Sequence, residues 1–226
     1  MPKLINTNSR IVFLLFLIFY TPLAEAQKWN RVIIDDSATV EFPKQVIRKQ
    51  SVEKAVETVA FYCRDEKAIY LIALQKDAYG GNPIATELAK FYDGALTGTL
   101  SAAGGGQITA KNTFAIDGFN GIEAQYETPN KPDLPRIKFV RLLIANGTFY
   151  SQSFWTNSEQ DSNVTESRNH FFSSFHPGVK KTAPVDPETQ TRAYKLGGLM
   201  GTLFAYGAMI YVVVIVIRRL SRPKSA

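Results

Sequence analysis

The sequence predicts an α+β fold: an antiparallel sheet covered by helices on both faces, an α/β/α sandwich, followed by one C-terminal transmembrane helix. Three observations predict it. Asp117-Gly118 and Asn146-Gly147 each interrupt an apolar, strand-like run, and these dipeptides suit tight hairpins because both central residues tolerate positive φ. The strands Val59–Cys63 and Val140–Ile144 are apolar at both parities, so a sheet built from them must be covered on both faces. Residues 196–217 carry no charge over 22 positions, which is long enough to cross a bilayer as a helix.

The elements follow in order. Val32-Ile33-Ile34 and residues 38–42 read as two short strands around Asp35-Asp36-Ser37, closed by Pro43. Thr58 to Cys63 and Ala68 to Leu74 read as a hairpin turning at residues 64–67. Asn82 before Pro83 is a helix start, because Asn caps free N–H groups and Pro fits the first turn. Leu88, Phe91, Tyr92, Ala95 and Leu96 then keep helical spacing, and Gly104-Gly105-Gly106 ends the segment. Four strands follow: Ile108–Ile116, Gly121–Glu127, Arg136–Ala145 and Thr148–Thr156. In the last element, residues 161–175, Val164, Phe171 and Phe175 fall on one helical face. Residues 176–195, with Pro177, Pro184 and Pro187, have no apolar period and read as an extended linker.

The chain has 26 Lys+Arg against 20 Asp+Glu, a net charge of +6. Residues 27–194 are balanced, with 19 of each, so the surplus lies in the flanks. Nucleic-acid binding needs basic charge spread over a folded face, and none is expected here. Lys3 and Arg10 precede the apolar run 11–20, and Ala24 and Ala26 supply an Ala-x-Ala ending. This is the layout of a signal peptide over residues 1–26, cleaved after Ala26. Arg218, Arg219, Arg222 and Lys224 follow the second apolar segment, and basic flanks stay in the cytoplasm. The expected layout is an extracytoplasmic domain over residues 27–175, a membrane span, and a cytoplasmic tail over 218–226. Periplasmic placement of the domain is expected. Within the span, Gly197, Gly201, Ala205 and Ala208 share one face, a small-residue stripe through which two such helices can pack as a homodimer.

Candidate chemistry is sparse. One Cys and two His leave too few ligands for a zinc module. Cys63 alternates with Val59 and Phe61 on a strand and reads as a buried thiol. His170 and His176 are six apart and do not form an i, i+4 ligand pair; they read as surface residues. The Gly104–Gly106 loop lies after a helix, where a phosphate loop needs strand, loop, helix order. Asp35-Asp36, Asp65-Glu66 and Asp117 sit in turns, where Asp is favoured for backbone reasons. Glu123 and Glu127 share one strand parity and are the remaining carboxylates that could share a cleft. Asn146-Gly147-Thr148 and Asn163-Val164-Thr165 match a glycosylation acceptor, which has meaning only in a host that glycosylates. No cofactor and no catalytic residue is expected.

The chain resembles the PsbP-like superfamily, named for an extrinsic protein of photosystem II. The matching pieces are Val40-Glu41-Phe42-Pro43, the turn at residues 117–121 leading into Ile122-Glu123-Ala124-Gln125-Tyr126, the hairpin over residues 141–150, and Phe171-Phe172-Ser173-Ser174-Phe175. The resemblance covers residues 29–175 and implies an accessory or binding domain without shared catalytic residues. The C-terminal span departs from the soluble family pattern, so the family's partners are not transferred. The sequence expectation is therefore a single-pass membrane-anchored module, without catalysis, whose partner is another membrane or extracytoplasmic protein. The alternatives are a tethered small-ligand or lipid-binding domain, needing an apolar pocket of around 300 Å³, and a tethered hydrolase using an unrecognised carboxylate pair.

Overall fold

The computed structural model describes residues 28–53, 56–76, 78, 85–129, 134–158 and 160–179. The signal residues Ala24 and Ala26, the stripe Gly197, Gly201, Ala205 and Ala208, and the basic Arg218, Arg219, Arg222 and Lys224 lie outside the described residues. Among the described residues no helix is long and apolar enough to cross a membrane; the expected span also lies outside them.

The described elements are β1 (Asn30–Ile33), β2 (Thr39–Phe42), β3 (Ile47–Glu53), β4 (Val56–Arg64), β5 (Ala68–Gln75), α1 (Ala85–Ala102), β6 (Gln107–Ile116), β7 (Phe119–Glu127), β8 (Ile137–Ala145), β9 (Thr148–Thr156) and α2 (Ser162–Ser173). Seven strands form one sheet in the order β3-β4-β5-β9-β8-β7-β6, and β1 pairs with β2 separately. Every pairing is antiparallel. Two local meanders, β3-β4-β5 and β6-β7-β8-β9, meet at the β5–β9 seam, where Ala68 lies opposite Thr156 and Gln75 opposite Phe149. The two expected hairpin turns are present, with Asp117 at φ 49° followed by Gly118 at 80°, and Asn146 at 52° followed by Gly147 at 84°.

Strand β3 is an element the hydrophobic pattern does not announce. Its sequence IRKQSVE has no alternation, because it is an edge strand exposed on both faces. It nevertheless holds an unbroken register on β4, from Ile47 opposite Tyr62 to Glu53 opposite Val56. Helix α1 is described from Ala85; the expected start at Asn82-Pro83 lies outside the described residues.

The sheet has two apolar faces, as its sequence requires. On one, α1 places Phe91, Tyr92, Ala95 and Leu96 against Ile122, Ala124, Val140, Leu142, Ile144 and Phe149. On the other, Val164, Phe171, Phe172 and Phe175 from α2 and its continuation pack against Tyr70, Ile72, Phe139, Leu143, Tyr150 and Phe154. This second layer differs from the expectation of a helix alone: Ile34, Ala38, Val40 and Phe42 of the β1–β2 hairpin share it. The aromatic rings meet edge to face. Tyr70 stands at 87° to Phe154 and 88° to Phe171, with centroids 5.1 and 5.4 Å apart, the arrangement that ring quadrupoles favour.

Two interior polar side chains, Tyr92 and Arg141, are paired through geometry the strands dictate. Pairing between β7 and β8 ends at Gly121 opposite Leu143. The Ile144 amide beyond it donates to the Tyr92 hydroxyl at 2.9 Å, and that hydroxyl donates to the Asn120 carbonyl at 3.0 Å. Arg141, facing the α2 layer, donates to Glu123 at 2.5 Å and to the Phe172 carbonyl at 3.1 Å. Its guanidinium lies over the rings of Phe114 and Phe172, 5.0 and 4.7 Å from their centroids.

Gly121 is required by close approach. A Cβ there would lie 2.6 Å from the Phe114 ring and from the backbone oxygen of Leu142. Gly121→Ala must therefore displace β6 or β8, and chemical denaturation is expected to show a loss of roughly 1–3 kcal/mol. An unchanged midpoint would mean that Phe114 does not cover this glycine.

Candidate functional site

A concavity lies at the end of the sheet where β4 turns into β5. It has a volume of about 260 Å³ and is lined by Lys44, Asp65, Glu66, Lys67, Ala68, Tyr70, Asn163, Val164 and Ser167. Three pieces of local chemistry build it. The Asp65 carboxylate closes the β4–β5 turn by accepting from the Lys67 and Ala68 amides at 2.8 and 2.7 Å, the short-range bond that makes Asp a turn residue. Asp161 caps α2 by accepting from the Asn163 amide at 2.9 Å. Lys67 then bridges turn and helix by pairing with Asp161 at 2.5 Å.

Beneath them, Tyr70 donates its hydroxyl proton to Asp65 at 2.8 Å, and Ser167 lines the same cleft. The order Ser167, Tyr70, Asp65 resembles a relay for activating a nucleophile. Its electrostatics oppose that use. Burial, then the Asp65 carboxylate, hold the Tyr70 phenol far above its ordinary pKa, so it keeps its proton and cannot serve Ser167 as a base. Both Asp65 oxygens already accept hydrogen bonds. The cleft therefore offers opposite charges and hydrogen-bonding groups but no activated nucleophile.

Each sequence candidate now has a place. Glu123 and Glu127 do not share a cleft: Glu123 pairs with Arg141 at 2.5 Å and Glu127 with Arg136 at 3.0 Å. His170 pairs with Glu41 at 2.7 Å and lies 4.1 Å from the Trp29 ring. His176 lies 3.4 Å from Asp117. These pairings separate the two histidines onto different partners. Cys63 is buried at 4% exposure, and burial pushes its thiol up to about 12. No group of three or more His, Cys, Asp or Glu with metal-binding geometry occurs among the described residues. The Gly104–Gly106 loop takes positive φ at all three positions and turns α1 into β6. Tyr150 and Phe154 face the α2 layer and Phe149 the α1 layer, as the parity of β9 predicts.

Asp35 and Asp36 are unequal. Asp36 is exposed, whereas Asp35 sits between Lys76 at 2.8 Å and the Tyr150 hydroxyl at 3.1 Å. Burial raises the Asp35 carboxyl, but Lys76, the Asp36 amide and Tyr150 outweigh it and hold its pKa below the ordinary value. The cleft as a set carried no sequence signal, because Ser167 and the first turn of α2 join Lys44, Lys67 and Tyr70 only when α2 docks on the sheet.

No family profile matches the chain, and no curated protein matches it. Among solved structures it is similar to the solution structure of cyanobacterial PsbP (CyanoP) from Synechocystis sp. PCC 6803. Identity is 13%, the match covers 69% of this chain and 95% of that chain, and the TM-score is 0.47. That protein is a PsbP, the family whose short motifs the sequence resembles. The likeness is one of layout.

Two outcomes check the electrostatics. A depressed Asp35 pKa stabilises the fold above the unfolded value near 3.8, and the gain disappears as pH falls through the lower folded value. Asp35→Asn is expected to cost about 1–2 kcal/mol at pH 7, with the difference from the parent closing in strong acid. Cys63, with its thiol held near 12, is expected to resist alkylation at pH 8 and to react only on unfolding. Equal labelling rates with and without denaturant would contradict its burial.

Proposed function

We propose that this chain is a single-pass membrane-anchored protein whose extracytoplasmic domain binds another protein as an accessory or assembly module, without catalysis of its own. The partition of charge and hydropathy carries this reading. An electrically balanced stretch, residues 27–194, stands between a leader-like segment and an apolar segment followed by four basic residues. The first routes the domain across the membrane, and the second holds the tail in the cytoplasm.

The folded domain supports the same reading. Its two interior faces are filled by side chains, which removes the natural place for an acyl chain between sheet and helix. Most residues around the cleft, Lys44, Asp65, Glu66, Lys67, Asn163 and Ser167 among them, carry charged or polar side chains, which suits polar contacts at its rim. Its Asp65 carboxylate is held by two backbone amides and the Tyr70 hydroxyl, which favours recognition over acid–base chemistry. Trp29, near the start of the domain, packs on Tyr70 and His170, at the end of the sheet remote from Val179. An uncleaved leader and a C-terminal span would draw opposite ends of the domain to one membrane; cleavage after Ala26 avoids this.

Two measurements test the reading together. Protease added to intact spheroplasts is expected to digest the domain and spare the basic C-terminal tip. Mass spectrometry of the mature protein is expected to find Gln27 first. A shielded domain with an accessible tail would reverse the topology and overturn the proposal. Deleting residues 196–226 is expected to release a soluble, folded domain.

A further inference from the structure

The chain leaves the domain along a fixed path. After α2, Ser174 accepts from the Glu41 amide at 3.0 Å. The His176 backbone then exchanges both hydrogen bonds with Thr39 at 2.9 Å. Gly178 follows at φ 84°, so close to Ser37 that a Cβ would lie 2.3 Å from its hydroxyl oxygen. Asn146 then donates to the Val179 carbonyl at 3.0 Å. Residues 176–179, expected at the start of the linker, are thus bonded into the domain. They thread past the β1–β2, β6–β7 and β8–β9 turns, which share one end of the sheet.

The cleft lies at the other end. The register places Ala68 and Arg64 opposite the Thr156 end of β9, and β5 spans eight residues between the two ends, roughly 25 Å. Charges are used differently at the two ends. Near the exit, Asp35 is taken by Lys76, and Asp117 faces His176. In the cleft, Lys67 and Asp65 are engaged internally. Lys44 and Glu66 are exposed and form no ion pair among the described residues. One cation and one anion therefore stand uncommitted at the rim of a concavity that faces away from the departing chain.

We propose that this end of the sheet is the partner-docking surface, and that it receives a polypeptide loop bringing a carboxylate to Lys44 and a cationic side chain to Glu66. The inference rests on the tethered, protein-binding reading above and adds to it the surface and the charge pattern of the partner. Charges at an interface rim set orientation and reject wrong partners through like-charge contact. A cleft of about 260 Å³ accommodates one or two protruding side chains of such a loop, and the remainder would lie across the turn and the first turn of α2.

The test uses the full chain in its native membrane, with a photo-crosslinking amino acid placed at Asn163 on the cleft rim or at Ile33 at the exit end. Asn163 is expected to yield a discrete polypeptide adduct and Ile33 none. Combining Lys44→Glu with Glu66→Lys should lower the Asn163 adduct roughly tenfold while thermal unfolding stays unchanged. Reversing the matching acid and base on the captured polypeptide should restore it. An adduct at Asn163 indifferent to charge reversal would overturn the proposed charge match. An adduct at Ile33 alone would overturn the surface and leave the protein-binding reading standing, whereas no adduct at either position would count against that reading itself.

Discussion

The structure depends on the seam between β5 and β9. Each meander on either side of it forms by local hairpins, but neither alone has both a full sheet and a cover for its two apolar faces. The seam joins strands about eighty residues apart in sequence, from Ala68 opposite Thr156 to Gln75 opposite Phe149. Loop closure over that separation costs entropy before any contact rewards it. The compensation comes from what the seam assembles: Tyr70, Ile72 and Leu74 alongside Tyr150 and Phe154 under α2, and Ala73 beside Phe149 under α1. Helix α1 itself connects the two meanders and then covers one face of the sheet they create.

That construction limits where function can reside. With both interior faces occupied, chemistry and recognition are left to the strand ends and the two edges. The edges are poorly suited to a partner strand. Strand β3 carries Arg48 and Lys49, and β6 is irregular between Ile108 and Ala110 and carries Lys111, the charges and bulge that keep edge strands from pairing indiscriminately. Of the two ends, one is occupied by the departing segment 174–179 and the other opens into the polar cleft. The location of the cleft thus follows from the sheet order and the path of the chain after α2.

Much of this architecture is legible before folding. Asp117-Gly118 and Asn146-Gly147 locate their hairpins because the turn chemistry is local. The double-sided apolarity of residues 59–63 and 140–144 announces a sheet buried on both faces. The buried state of Cys63 follows from its parity with Val59 and Phe61. Strand β3 is hidden because an edge strand exposed on both faces has no hydrophobic period to display. The β1–β2 hairpin is recognisable as strands, yet its role as part of the second cover depends on tertiary packing. The same holds for the cleft: Asp65 and Glu66 read as turn residues, while Ser167 joins them only once α2 lies on the sheet. Likewise, the parity that pairs Glu123 with Glu127 on one strand does not reveal that Arg141 of β8 and Arg136, just before β8, pair with them.

The seam can be tested directly by native-state hydrogen exchange of the full chain, read strand by strand. If it is the last structure to open, β5 and β9 amides along the shared register will exchange together and most slowly, with the edge strands β3 and β6 exchanging earlier. Slow exchange confined to one meander, with β5 or β9 opening ahead of its outer hairpins, would show that the sheet is two independent units and would contradict the account.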